Sequence, residues 1–309
     1  MKRCCSIGVL IVTYNRPEKL KQALLSYSKQ TCKPKLVMVV DNNSKKDTSD
    51  LLKIWKGKDE GFYKQVYTLK ENFGGSGGFY YGFKKMLEAD IDWIWVADDD
   101  AYPDENCFNT IKDYIKISDI KKISAVCSSV LYSGSVDTWH RRRTKRRFGV
   151  IMEERIPAAE YNKEFEIDFL SYVGSMIKKE ALIKAGNVRK DFFIAYDDSE
   201  HSIRLKKTGE IICIPAAKVI HDTDDAEIKI NIEACNDKVS WKKFYTIRNK
   251  LYSYRLHYGR LQAWLYEGYY LIKNYRNLLL YKMTVRAILM SRKKQLGLDS
   301  IYNPSWDGK

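Results

Sequence analysis

IGVLIVTYNRP, residues 7–17, sets the fold. Ile7 to Val12 is a continuous apolar, β-branched run, the pattern of a strand buried on both faces of a parallel sheet. Thr13-Tyr14-Asn15-Arg16-Pro17 breaks it, and Pro17 suits the first turn of a helix in which Leu20, Ala23, Leu24 and Tyr27 fall at helical spacing. The unit then repeats. Leu36 to Val40 is a second buried strand ending in Asp41-Asn42-Asn43-Ser44, Thr48 to Trp55 is helical, and Gln65 to Leu69 is a third strand. This alternation predicts a doubly wound, mostly parallel α/β sheet flanked by helices. Such sheets bind ligands beyond the carboxyl ends of their strands, where both polar tails fall.

Further along, Asn72-Phe73-Gly74-Gly75-Ser76-Gly77-Gly78 leads into a helix carrying Phe79, Phe83, Met86 and Leu87 on one face. Ile91 to Ala97 reads as a strand stopped by Asp98-Asp99-Asp100. Residues 105–117 read as a helix and Ile123 to Leu131 as a strand. Residues 132–166 are basic and aperiodic, and are expected to form an irregular loop. Residues 167–186 give a strand and then a helix from Lys179; a further helix runs through Arg204 to Thr208, capped by Gly209. Strands at Ile211–Pro215 and Val219–Asp222 close the core. From Trp241 the chain is helical, aromatic and basic. The expected division is an α/β domain over 1–240, with halves at about 1–104 and 105–240, and a C-terminal helical region over 241–309.

The chain has 309 residues, 45% hydrophobic and 30% charged, which is globular composition with enough length for a large core. Its seven cysteines show no CxxC spacing and Cys4–Cys5 are adjacent, so neither a zinc knuckle nor a redox motif is expected; reduced cytosolic thiols are. No secretory leader is visible and no apolar run reaches spanning length. The net charge is +15, of which residues 240–309 carry +11 with only three carboxylates. Six of the remaining basic residues lie in Arg141–Arg147. Charge alone would allow nucleic-acid binding, but no helix-turn-helix, zinc-finger or RNP signature accompanies it, and no nucleic acid is expected as partner.

Three clusters can carry chemistry. Asp98-Asp99-Asp100 ends a buried strand, where adjacent carboxylates are costly without a cation. In extended chain Asp98 and Asp100 point the same way and can share a divalent ion; a solvated acidic turn is the plain alternative. His221, at the end of another strand, is either structural or a ligand that joins Asp98 and Asp100, a nitrogen–oxygen set suited to Mn²⁺. Asp197-Asp198-Ser199-Glu200 opens a helix, where acidic residues serve as dipole partners or as a base of raised proton affinity. The glycine segment matches neither G-x-G-x-x-G nor a Walker loop. It is either a flexible lead-in or a backbone cradle at a helix N-terminus. A sugar nucleotidyltransferase would place a glycine- and lysine-containing loop after the first strand, where this chain has Thr13–Pro17.

VLIVTYNRP, VVDNNSKKD, ENFGGSGGF, WVADDDAYPD, YDDSEHSIRLKKTG, VIHD and FYTIRN occur in this order from about residue 7 to 255. The set resembles the inverting family 2 glycosyltransferases of the GT-A fold, most closely the galactofuranosyltransferase branch, with rhamnosyltransferases as near relatives. The resemblance implies transfer of a sugar, galactofuranose from UDP-galactofuranose or rhamnose from a dTDP donor, onto a glycan or lipid-linked acceptor in cell-surface polysaccharide synthesis. It implies Mn²⁺ or Mg²⁺ held by Asp98, Asp100 and His221. Asp198 would be the general base and Asp197 and Trp241 would contact acceptor. Thr13, Asn15, Arg16, Asp41, Asn72, Gly74, Gly75, Gly77, Gly78, Asp98 and Asp99 would contact donor. Glu200 occupies an acidic position of the motif without assigned chemistry, and Arg248-Asn249 form an "RN" element whose role stays open.

In the C-terminal region Trp264, Tyr269, Tyr270, Leu271 and Tyr275 interleave with Lys273 and Arg276. Basic aromatic helices of this kind lie on anionic membrane surfaces, cover a core or build a homo-oligomer. The expected location is the cytoplasm, at the inner face of the cell membrane where such docking occurs.

Overall fold

The computed structural model describes residues 5–223 and 239–306. Strands β1 (Ile7–Thr13), β2 (Leu36–Asp41), β3 (Tyr63–Thr68) and β4 (Trp93–Asp98) form the parallel half of the main sheet in the order β3-β2-β1-β4. Helices α1 (Pro17–Ser28), α2 (Lys46–Lys56) and α3 (Gly74–Met86) make the crossovers. Strand order reverses at β1, so the crevice beyond the ends of β1 and β4 is the expected ligand position. Register places Val12 beside Asp98 and Thr13 beside Asp41.

The sheet then becomes mixed. Strands β5 (Ala101–Pro103), β6 (Ile123–Tyr132) and β7 (Ser135–Val136) follow, with α4 (Cys107–Ile117) between the first two. Strands β8 (Arg141–Arg147), β9 (Val150–Arg155), β10 (Phe165–Ile167), β11 (Phe169–Leu170) and β12 (Ser175–Lys178) precede α5 (Lys179–Ala185), α6 (Asp197–Lys206) and β13 (Glu210–His221). Beyond β4 the order continues β12-β6-β13-β10, with β12 antiparallel to both neighbours and β13 parallel to β6. The two faces carry separate cores, one around Val9, Trp95 and Phe108, the other around Leu10, Phe83 and Ile177. Cys32, Cys107, Cys127 and Cys213 are free thiols, while Cys4 and Cys235 lie outside the described residues.

Three expectations need correction. The third strand begins at Tyr63, two residues earlier than expected. The two short closing strands are one, β13, broken by a bulge: its pairing with β6 jumps from Ile214–Ser128 to Lys218–Ser129. Pro215, which has no N–H to donate, falls in that bulge, and Ser129 Oγ donates to the carbonyls of Pro215 and Ala217. Most consequentially, residues 132–166 are largely ordered β structure. β8 and β9 form a hairpin that pairs with β11 in a separate three-stranded sheet. Phe148 (φ 49°) and Gly149 (φ 77°) supply the two left-handed residues of its turn. Arg143–Glu160 (2.6 Å), Lys145–Glu154 (2.8 Å) and a half-buried Arg142–Glu153 pair hold charges on β8 and β9 where apolar alternation would be in an ordinary strand.

Helices α7 (Trp241–His257), α8 (Arg260–Asn274) and α9 (Leu278–Lys293) form the C-terminal layer. Phe244, Tyr245, Ile247 and Leu251 of α7 pack on Leu280, Met283 and Ala287 of α9 and reach Phe193, just before α6.

Candidate active site

Strand ends from both halves of the sheet converge on one cleft of about 1660 Å³. From β1, Thr13 Oγ1 donates to Asp99 Oδ2 (2.7 Å), and Arg16 Nη1 lies 2.8 Å from Asp100 Oδ2 and 3.4 Å from Asp99 Oδ1. Both residues line the cleft. Asn15 does not; in a left-handed conformation (φ 56°) it ties two loops together, its N–H donating to Ser44 Oγ and its Oδ1 accepting from Lys45 N. Asp41 lies behind the cleft wall, its Oδ1 held by Ser44 N while its buried Oδ2 has no hydrogen-bond partner. Its neighbour Asn42, not singled out from sequence, lines the cleft and fixes the glycine segment by donating to Gly74 O and accepting from Phe73 N.

The glycines divide by task. Asn72, Gly74 and Gly75 line the cleft at the start of α3. Gly74 has φ +72°, and a Cβ there would stand 2.0 Å from the carbonyl oxygen of Phe193. Gly77 and Gly78, expected along a donor, are buried packing positions outside the cleft lining: added Cβ atoms would lie 2.4 Å from Phe73 Cβ and 2.4 Å from Val12 Cγ1. Gly78 lets the helix close on β1, and Gly77 makes room for the Phe73 side chain at the start of the same helix.

The chain turns immediately after Asp98, so the extended i, i+2 arrangement expected for Asp98 and Asp100 is replaced by a turn between β4 and β5. Burial raises Asp98 well above the ordinary carboxylate range, and the charges of Asp100 and Asp99 add to it. Burial likewise lifts Asp99 to about 6 against the pull of Arg16. Burial would also raise Asp100, but His221 and Arg16 outweigh it and hold this carboxyl low. β13 pairs with β5 and sets His221 opposite Ala101, which brings its Nε2 to 3.5 Å from Asp100 Oδ1. Asp100 Oδ1 and His221 Nδ1 are buried without hydrogen-bond partners.

His221 therefore meets Asp100, but the expected trio with Asp98 is not gathered as one compact set of donor atoms. The set that lies within 4.8 Å among the described residues is Asp137, His140 and His221. His140 Nε2 is 3.2 Å from Asp137 Oδ2 and its Nδ1 2.9 Å from Ser171 Oγ. Burial depresses its pKa to about 4, against Asp137. Asp137 and His140 lie in the segment expected to be irregular, where no strand pattern pointed to them.

Across the cleft, α6 opens with Asp197-Asp198. Before it, Phe193 (φ 65°), Ala195 (φ 65°) and Tyr196 (φ 67°) hold left-handed conformations that cost bulky residues energy. The "RN" pair explains how they persist. Asn249 Nδ2 donates to the carbonyls of Phe192, Ile194 and Ala195, and Arg248 Nη2 to that of Phe192. Ser76 N adds a bond to Phe193 O from the glycine segment. Burial and the Asp198 charge lift Asp197 to about 7; burial raises Asp198 too, opposed by Arg142. Ser199 donates to Asp198 Oδ1 from its N–H (2.5 Å) and Oγ (3.0 Å), and Arg142 Nη2 donates to Ser199 Oγ. Arg142 also pairs with Glu153, itself 3.1 Å from Lys250 and bonded to Tyr196. These cations, with the Tyr196 hydroxyl, carry Glu153 down to about 2 despite burial. Arg142, Glu153 and Lys250 were not singled out from sequence as site residues; charge runs usually mean solvated faces. Glu200 faces away, bound to Arg204 and His257. Trp241 lines the cleft at the start of α7.

A family model described as Glycosyl transferase family 2 matches residues 8–186. Galactofuranosyltransferase GlfT1 of Mycobacterium tuberculosis (strain ATCC 25618 / H37Rv) is 26% identical over 288 residues, covering 88% of this chain and 90% of that protein. The dTDP-rhamnosyl transferase RfbF of Shigella flexneri is 24% identical over 253 residues, covering 79% and 78%. The fold is shared with the mannosyltransferase PcManGT from Pyrobaculum calidifontis, solved with GDP-Man and Mn²⁺, at TM-score 0.56 and 14% identity over 94% of this chain and 76% of that one. It is also shared with S. aureus TarS, at TM-score 0.53 and 15% identity, where the match spans 81% of this chain and 43% of that one. With a match over more than half its length, the chain belongs to glycosyl transferase family 2.

Proposed function

We propose that this family 2 enzyme transfers a hexose, galactofuranose from UDP-galactofuranose, with inversion and with the help of a divalent cation, onto a glycan or lipid-linked acceptor in cell-surface polysaccharide synthesis. The observation that carries the reading is the pairing of two unlike acidic clusters across one cleft. Asp98–Asp100 with His221 form a cation-seeking edge; Asp197-Asp198 form a proton-seeking edge. Residues 1–104 would supply the donor half and 105–240 the acceptor half.

Asp100 and His221 fit Mn²⁺ or Mg²⁺ through their orphaned buried donor atoms, the crowded carboxylate of Asp98 would turn toward the ion, and Asp137 and His140 stand close enough to His221 to join them. Bound there, the ion would neutralise charge on a leaving diphosphate. Arg16, Thr13 and Asn42 would orient the nucleotide end, and the α3 N-terminus with Gly74 and Gly75 would face its phosphates. Asp198, ionised, takes the proton of an acceptor hydroxyl. That oxygen forms its bond to the anomeric carbon as the bond from carbon to diphosphate oxygen breaks on the opposite side. Asp197 and Trp241 would hold the acceptor. The similarity to RfbF favours dTDP-rhamnose as the second donor to try.

The test is release of nucleoside diphosphate from a panel of UDP-, dTDP- and GDP-sugars, with Mn²⁺, Mg²⁺ or chelator and a lipid-linked or synthetic acceptor. Turnover of UDP-galactofuranose alone, lost on chelation, is expected. Turnover of a different donor overturns the sugar assignment, and turnover under chelation overturns the metal.

A further inference from the structure

Helix α8 uses its circumference in three ways. Ala263, Glu267 and Asn274 are buried against its neighbours. Leu265, Tyr266, Tyr269 and Lys273 line the cleft. A third stripe, Leu261, Trp264, Leu265, Ile272 and Tyr275, follows at i, i+3, i+4, i+11 and i+14 and faces outward, with Ile272 73% exposed. Leu278 of α9 continues it at 67% exposure. Tyr270 and Leu271, part of the same aromatic run in sequence, are packed inward instead.

Among the described residues of this C-terminal layer the exposed charges have one sign. Residues 241–306 contain two carboxylates, Glu267 and Asp299, and both are buried: Glu267 is held by Arg255 and Arg292, Asp299 by Arg286. Arg260, Lys273, Arg276 and Lys282 are exposed beside the stripe. No helix among the described residues is long and apolar enough to cross a membrane. An apolar stripe flanked by cations and stripped of exposed carboxylates is the composition of a helix lying in the interface of an anionic bilayer.

We infer that the outer face of α8, with the start of α9, docks on an anionic lipid surface and sets the cleft at that surface. Leu265 belongs to both the stripe and the cleft lining, so an acceptor anchored in the bilayer reaches the cleft without leaving it. A second copy of the chain would need a complementary acidic patch, and α8 and α9 offer none to a symmetric partner.

Flotation of the full chain with vesicles of equal phosphatidylglycerol and phosphatidylcholine, against phosphatidylcholine alone, tests this. Binding to the anionic vesicles, reversed by 0.5 M salt as the Debye length shrinks to about 4 Å, is expected. Trp264→Glu/Ile272→Glu and, separately, Arg276→Glu/Lys282→Glu should each weaken partition at least tenfold, on the order expected for two surface groups. The second pair alters exposed cations only and so keeps the fold; thermal unfolding checks both. No flotation at low salt, flotation indifferent to both variants, or a lipid-free dimer dispersed by the first variant would overturn the inference. The assay reads no turnover, so its failure leaves the transferase reading of the cleft intact.

Discussion

Asp98-Asp99-Asp100 and Asp197-Asp198 are both runs of aspartate at the rim of the same cleft and burial raises members of each, yet only the first holds one carboxyl, Asp100, low. At the first, Arg16 and His221 approach Asp100 and hold its charge, while Asp98 is left with an elevated proton affinity that a second cation would relieve. At the second, Arg142 is the cation that opposes burial of Asp198, and Asp197 titrates at about 7. On the proposed reading, identical side chains are divided between metal chemistry and proton chemistry by what the neighbouring elements bring to them.

The sharpest way to break this comparison is to neutralise each cluster. Asp198→Asn should lower kcat by about 10³-fold, within the range for loss of a general base, while donor affinity by calorimetry stays within about threefold. Asp100→Asn should do the reverse at the binding step, weakening Mn²⁺-dependent donor affinity by about tenfold or more. If Asp198→Asn abolishes donor binding, or Asp100→Asn leaves it untouched, the two clusters are not functionally separate.

The second cluster also depends on a strained approach that the first lacks. Asn249 satisfies three carbonyls of the left-handed segment before α6. Asn249→Ala should cost about 2–4 kcal/mol of stability by leaving buried carbonyls unpaired, measured by denaturant unfolding. It should lower kcat in the folded fraction with little change in donor affinity. An equal loss of both would mean that the strain serves the whole cleft.

Acidity distinguishes the clusters more gently. The rate should rise with pH as the Asp197–Asp198 pair loses its proton, at a pH above the ordinary carboxylate range because burial raises both groups. Arg142→Met removes the charge that opposes burial of Asp198 and should move that limb up by about one unit, with Arg142→Lys moving it less. Stability supplies an independent readout. Because the folded pKa of Asp197 lies above its unfolded value, its contribution is fully present below the unfolded pKa and is lost as pH rises through about 7. Asp197→Asn should therefore raise Tm at pH 8 and not at pH 4; no difference between the two would deny the shift.

In the parallel half, β1, β2 and β4 are legible because each is a continuous apolar run followed by its own polar stop, Thr13–Pro17, Asp41–Ser44 and Asp98–Asp100. β3, whose residues alternate in exposure, is legible only in part. The acidic pair of α6 was legible as a cluster. Its supports were not: Arg142, Glu153 and Lys250 come from three elements, and their burial follows from pairing that no local pattern encodes. The β8–β9 hairpin carries charges where strands ordinarily show apolar alternation, so Arg141–Arg147 looked like a solvated loop. Asp137 and His140 were hidden with it. His221 was found through its strand, but that Asp100 rather than Asp98 meets it depends on the turn at Asp99, which extended-chain geometry does not foresee.

The smallest expected effect lies between the clusters, in the glycines at the start of α3, and it decides how closely a donor approaches there. Gly75 lines the cleft, and a Cβ added to it would have nothing within 4 Å. Gly78 is buried, and its Cβ would stand 2.4 Å from Val12 Cγ1. Gly78→Ala should destabilise by about 1–3 kcal/mol through overpacking and leave the donor KM of the folded enzyme unchanged. Gly75→Ala should instead be neutral to about 1 kcal/mol stabilising, since it narrows the unfolded ensemble at a helical position. Its methyl group would project where diphosphate passes the helix N-terminus, so donor KM should rise severalfold while Tm holds or climbs. A KM unchanged in Gly75→Ala would mean that the segment serves packing throughout. The donor would then be held from the Arg16 and Asp100 side alone, and the cation-seeking cluster would carry the whole of nucleotide recognition.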